Sequence, residues 1–161
     1  MLNCRLRVAA PLVALCCLGV AAPASKLFTG PYFTVGYSAS FAARKSLADS
    51  AFFRAKDRSV EFYVFSPIWN GDPKDVAANP AREAVVTRTR ERRIVKKEEI
   101  VVIRETIRAK NGAYIRYVED TENKTLDTRH VFGIKVKSAK VMAKWRAAYL
   151  AFKKSLVQYA D

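Results

Sequence analysis

Apolar and polar positions alternate from Phe33 to Phe41, with Phe33, Val35, Tyr37, Ala39 and Phe41 on one side and Thr34, Gly36, Ser38 and Ser40 on the other. This two-residue period predicts a half-buried strand. Ser40 or Ser46 is then placed to cap a short helical turn through Ala42, Ala43 and Leu47. Ala51 to Arg54 and Ser59 to Phe65 read as two strands joined through Lys56-Asp57, and the second is apolar on both sides, which predicts a central place in a sheet. From Val85 to Ile107 β-branched residues crowd the chain, predicting two long strands that turn near Lys96 to Glu99. Asn79-Pro80 followed by Ala-Arg-Glu leaves a charged helix through Arg93 as the alternative. Lys110-Asn111-Gly112-Ala113 suits the two positive-φ positions of a tight hairpin turn, with Tyr114 to Glu119 as the return strand. After a polar turn at 120–125, the alternation of Leu126, Thr128, His130, Phe132, Ile134 and Val136 with their neighbours predicts a last strand.

The chain then changes period. Val141, Trp145, Ala148, Tyr149, Phe152, Leu156 and Tyr159 recur at steps of three and four, while Lys140, Lys144, Arg146, Lys153 and Lys154 fall outside that stripe. The pattern predicts an amphipathic helix over 139–159. A helical stripe needs an apolar surface to cover it, so the expected fold class is α+β, a mainly antiparallel sheet covered on one face by a long C-terminal amphipathic helix. Pro67, Asn70-Gly71, Asp72-Pro73 and Asn79-Pro80 mark 66–81 as a loop, with room for one helical turn that Asp72 caps and Pro73 begins. A loop of that length in a small domain is often functional. Ile68 and Trp69 are its candidate contact tips, unless Trp69 folds back over the edge of the core.

Length and charge narrow the class. The chain has 161 residues, enough for a single domain with one core. Arg5 and Arg7, the apolar run from Val8 to Val20 and Ala22-Pro23-Ala24 have the form of a secretory signal peptide over 1–24. The expectation is a secreted or periplasmic domain, 25–161, beginning at Ser25. Cys4, Cys16 and Cys17 all fall in the leader, so this domain has neither a disulfide nor a thiol nucleophile. Lipoprotein anchoring at Cys16 or Cys17 is the alternative, disfavoured because Leu15 and Cys16 stand where a small residue is wanted. The formal net charge is +14, of which the leader holds only Arg5 and Arg7. Such a domain is drawn to an anionic surface, a polyanion or an acidic protein, membrane association included, and the attraction weakens with salt. Export disfavours nucleic acid as the partner.

Candidate chemistry is sparse. Arg88, Arg90 and Arg92 would project from one strand face at intervals of about 6.5–7 Å, and Arg93, Lys96 and Lys97 carry the positive charge toward the turn. Arginine's planar fork suits rows of phosphates or carboxylates. Glu83, Glu91, Glu98, Glu99 and Glu105 are interleaved, however, and pairing with them is the alternative. His130 is the only histidine and shares a strand face with Leu126, Phe132 and Ile134, the setting of a packed core residue. With no phosphate-binding glycine loop, nucleophile elbow or carboxylate cluster, the sequence names no catalytic residue, metal ligand or cofactor. A small extracytoplasmic enzyme of hydrolase type, using His130 with Asp, Tyr or Lys, is the second functional reading. Asn123-Lys124-Thr125 fits an N-glycosylation acceptor, a triplet common by chance.

Gly112-Ala113-Tyr114, Tyr117-Val118-Glu119, Arg129-His130 and the helix around Trp145 give a layout that resembles the PsbP-like accessory domains, exported α/β proteins with an antiparallel sheet and a closing C-terminal helix. The chain departs from that family in lacking a strand between the Arg129-His130 region and the helix. The resemblance implies a non-catalytic accessory that docks on a larger, often membrane-bound, assembly, and it carries over no ligand residue.

Overall fold

Backbone pairing organises most of the chain. The computed structural model describes residues 25–159; the expected leader, with its three cysteines, lies outside them. The strands are β1 (Ser25–Thr29), β2 (Phe33–Ser38), β3 (Phe41–Lys45), β4 (Ser50–Ala55), β5 (Val60–Phe65), β6 (Glu83–Val95), β7 (Glu98–Ala109), β8 (Ile115–Asn123), β9 (Thr128–Val136) and β10 (Val157–Gln158), with one helix, α1 (Ala139–Lys154), before the last. Seven of them form an antiparallel sheet in the order β3-β4-β5-β9-β8-β7-β6, and β1-β2-β10 form a second, smaller sheet. Each residue of β5 is buried, as its unbroken apolar run requires of a strand covered on both faces.

The expected fold class is corrected. Strand accounts for 54% and helix for 12% of the described residues, so this is a mainly sheet fold and not a sheet covered by a long helix. The helix has 16 residues and stops at Lys154 instead of running to Tyr159. Ser138 caps its start by accepting from the Val141 N–H, and the Ser155 N–H closes its end on the Ala151 carbonyl. Ser155 Oγ also accepts from the Gly36 N–H at 2.9 Å. That contact ties the helix end to β2, and the next residues pair with β2 as β10, Val157 opposite Thr34 and Gln158 opposite Phe33. Leu156 and Tyr159 therefore flank a short strand instead of continuing the helix. One face of the large sheet, carrying Phe53, Phe62, Val64, Phe132 and Ile134, is shared between two covers: Phe33 and Val35 of the small sheet, and Tyr149 and Phe152 of the helix.

Three local expectations also change, while the strand reading of 83–95 holds. The alternation from Phe33 to Phe41 is not one strand, because a turn at Ala39-Ser40 passes the chain from the small sheet to the large one. Ser38 and Ser40 share a hydroxyl hydrogen bond of 2.9 Å there, and Ala42 and Ala43 continue as β3 in place of a helical turn. Glu83–Val95 is strand, not helix. The two positive-φ residues of a tight turn occur at Lys96 (φ 51) and Lys97 (φ 73), whereas in the Lys110–Ala113 turn only Gly112 (φ 73) has one. Side chains with a Cβ are disfavoured in this region by about 1–2 kcal/mol each. Lys96→Asn with Lys97→Gly is therefore expected to raise the urea midpoint, with a gain in unfolding free energy of about 0.5 kcal/mol or more once the added freedom of the unfolded chain is deducted. An unchanged or lower midpoint would show that the lysines hold the turn through contacts of their own.

The second face of the large sheet lies under loop 66–82. Tyr63, Phe65, Ile107, Val118 and Val131 pack there against Val76 and Ala78 of the loop. Arg116 enters this layer only 8% exposed. It donates to Glu83 Oε2 at 2.9 Å and Oε1 at 3.1 Å, to the Tyr63 hydroxyl at 3.0 and 2.8 Å, and to the Val76 and Ala77 carbonyls of the loop. The Tyr114 hydroxyl and the Asn79 N–H, each at 2.8 Å, complete the donors around Glu83. Charge and desolvated oxygen are thus satisfied together, the condition for burying them. Farther along, Arg129 grips Asp120 through two nitrogens, at 2.9 and 2.6 Å, and donates to the Gly71 carbonyl at 2.9 Å. The long loop is held down at both ends.

Candidate functional site

The strand β6 is one of the two edges of the large sheet, opposite β3, and is exposed along nearly its whole length. Its register with β7 places Arg88 opposite Glu105, Arg90 opposite Ile103, Arg92 opposite Val101 and Arg93 opposite Ile100. Arg88, Arg90 and Arg92 share the face that the loop covers farther in, and Arg93 points to the other. Two rungs of this ladder are neutralised: Arg88 lies 3.4 Å from Glu105, and Arg92 lies 2.8 Å from Glu99. Arg93 stands 4.0 Å from Glu91. Arg90, Lys96 and Lys97 form no ion pair among the described residues. The unbalanced charge therefore sits at one arginine and at the hairpin's apex, not along the whole row.

On the helix side, the charges next to β6 pair with one another. Arg104 bridges Glu91 and Glu119, at 3.0 Å to each, and Lys153 of the helix also reaches Glu119. Burial would raise the Glu119 pKa, but Lys153 and Arg104 outweigh it and hold the carboxyl below its ordinary value. Hydrogen bonds to Glu91 and Glu119 in turn raise Arg104. Lys140, Lys144, Arg146 and Lys154 of the helix are exposed and form no ion pair among the described residues, so Arg104 and Lys153 alone are withdrawn from an incoming anion.

Three turns meet beside the apex. The Lys124 N–H donates to the Glu99 carbonyl at 2.8 Å and the Asn70 N–H to the Asp127 carbonyl at 2.8 Å. Asn123 donates to Glu98 at 2.7 Å, and Asn70 to Glu122 at 2.7 Å. The loop tip, the β8–β9 turn and the β6–β7 turn are consequently joined at one end of the sheet. Trp69 does not fold back over the core; it is 58% exposed, while Ile68 is half-buried. Leu126, which the alternation put on the inner face with His130, is 52% exposed at the same end.

His130 is mostly buried, edge-on to Phe132 with ring centroids 5.5 Å apart. Burial pushes its pKa below the ordinary imidazole value, leaving it neutral near pH 7. The structure does not bring it together with the basic residues. No group of three or more His, Cys, Asp or Glu side chains among the described residues is placed to hold a metal ion.

The fold on which these residues sit is PsbP-like. The chain is similar to cyanobacterial PsbP (CyanoP) from Synechocystis sp. PCC 6803, at 10% identity and a TM-score of 0.52, over 89% of this chain and 97% of that one. It is also similar to the Ran-binding protein Mog1p of Saccharomyces cerevisiae, at 10% identity and a TM-score of 0.42, over 86% of this chain and 97% of that one. At such identity the likeness is one of fold. No protein-family model and no curated sequence matches the chain.

Proposed function

We propose that this protein is an exported, non-catalytic binding or accessory domain that engages an anionic partner through the β6–β7 hairpin. The observation that carries the reading is the apex: Lys96 and Lys97 take the two least favourable backbone positions of the turn, exposed and without a carboxylate partner among the described residues, with Arg90 behind them. Strained residues persist where surrounding structure or function keeps them. The accessory role implied by a PsbP-like fold supports the same reading. Glu105 and Glu99 already neutralise Arg88 and Arg92, so these two serve mainly to hold the hairpin.

The test compares the parent with Arg90→Gln/Lys96→Gln/Lys97→Gln for binding to inorganic polyphosphate at several salt concentrations. Loss of three counterion-releasing contacts should lower the slope of log affinity against log salt by about 2. The melting temperature should hold, because exposed charges contribute little to stability. Parallel slopes for the two proteins would remove the hairpin from the binding surface.

A further inference from the structure

At the sheet end where the three turns meet, large apolar side chains stand in water beside lysines. Trp69 (58% exposed) lies on the loop tip, Leu126 (52%) on the β8–β9 turn, and Ile94 (65%) and Val95 (44%) flank the apex lysines. Scattered exposed apolar residues are ordinary, but four on three hydrogen-bonded turns at one end of a domain make a patch with a direction. From the β6–β7 turn to the loop tip is three strand spacings, about 14 Å, and the backbone bonds Lys124 to Glu99 and Asn70 to Asp127 fix the turns at one level. A tryptophan and aliphatic tips bordered by lysines match the boundary between lipid headgroups and acyl chains, where amphipathic rings settle and lysines meet anionic headgroups.

We infer that this end of the sheet is a membrane-docking surface for a bilayer carrying anionic lipid, with Trp69, Leu126, Ile94 and Val95 entering the headgroup boundary and Lys96 and Lys97 on the phosphates. The inference rests on the anionic-partner reading above and names the partner. The carboxylates at this end oppose it least where they are occupied: Glu98 accepts from Asn123, Glu99 from Arg92, and Glu122 from Asn70 and Lys124. Asp127, in the β8–β9 turn with φ 50, has no side-chain partner among the described residues and faces the bilayer as an uncompensated charge. That gives the inference a sign. Removing the Asp127 charge strengthens docking, whereas removing Trp69 weakens it.

The experiment is cosedimentation with large vesicles, either all phosphatidylcholine or with phosphatidylglycerol added, using the protein 25–161, Trp69→Ala, Leu126→Ala and Asp127→Asn, with tryptophan emission read in parallel. The parent should bind the anionic vesicles with a blue-shifted emission that is absent in Trp69→Ala, which retains Trp145 as its own reference. Trp69→Ala should bind about tenfold more weakly, and Asp127→Asn about fivefold more tightly, the effect of one charge near the membrane surface. Urea unfolding of each variant separates docking from folding, since all three side chains are exposed. Binding to anionic vesicles with no blue shift and no effect of Trp69→Ala would overturn the apolar docking and leave the basic hairpin standing. Polyphosphate binding without vesicle binding would overturn the membrane as partner, while failure of both would overturn the anionic-partner reading itself.

Discussion

Replacing Gly133 by alanine is expected to leave little folded protein. Gly133 pairs with Tyr63 on β5 and with Val118 on β8, in the middle of the large sheet. A Cβ there would lie 1.8 Å from Tyr63 Cζ and 2.1 Å from its hydroxyl. The ring has nowhere to go, because its hydroxyl accepts two bonds from Arg116 and loop 66–82 closes over it. Forcing extra volume into a packed core costs about 1–3 kcal/mol when neighbours can yield. Here yielding also opens a buried ionic network, whose disruption costs about 3–5 kcal/mol. Together these rival the roughly 5–15 kcal/mol that holds an ordinary domain folded. Urea unfolding, or soluble yield where no transition remains, reads the effect. If sterics are the cause, Gly133→Ala should add little to Tyr63→Leu, which withdraws the ring; fully additive losses would disprove the steric account.

A loss of about 3–5 kcal/mol is expected for Glu83→Gln, which leaves the Arg116 guanidinium buried without its counter-charge. Exchanging both partners, Glu83→Gln with Arg116→Met, should recover much of that loss, since no buried charge then remains. The pair also sets an acid limit. Burial pushes the Glu83 pKa up, but the Asn79 N–H, the Tyr114 hydroxyl and Arg116 outweigh it, and the net shift is downward. A carboxyl depressed in the folded state contributes stability that is fully present above its unfolded pKa and is lost as pH falls through the folded value. The Glu83 contribution should therefore be level above about pH 5 and decline below the ordinary glutamate range near 4.3, with a weaker decline in the double variant, whereas the loss that buried, neutral His130 brings as pH falls below about 6.5 is common to both proteins. Burial raises Tyr63 to about 12, so its phenol stays protonated throughout.

What the sequence discloses depends on how local the cause is. The unbroken apolar run of β5 and the β-branched crowding of β6 and β7 act within a few residues, and both are visible in the string. The small sheet is not visible, because β10 is two residues whose strand state comes from β2, more than a hundred residues earlier. Leu156 and Tyr159 keep helical spacing although they have left the helix, so periodicity alone overran its end. The turn chemistry misled for a related reason: Asn111-Gly112 is the favoured pair, but the register of β7 with β8 there leaves a longer connection, while Lys96-Lys97 must supply the tight turn. The arginine ladder was legible as a ladder, because alternation fixes a face. Which rungs are neutralised depends on the strand that returns, and only the register reveals that Arg90 meets Ile103. The Glu83–Arg116–Tyr63 network gives no sequence signal, since its members come from three strands and Glu83 reads as one acid among several.

The exposed margin of β6 has a consequence for concentrated solutions. Among the described residues its outer N–H and C=O groups have no second neighbouring strand, and Val85, Val86, Thr87, Thr89, Ile94 and Val95 are residues that favour joining another strand. Two copies brought edge to edge would set arginines near arginines, a repulsion that opposes this pairing. Ionic strength that weakens attraction to a partner weakens this safeguard as well, and glutamine at Arg88, Arg90, Arg92 and Arg93 would remove it, making self-association through β6 the route to fibrous aggregates.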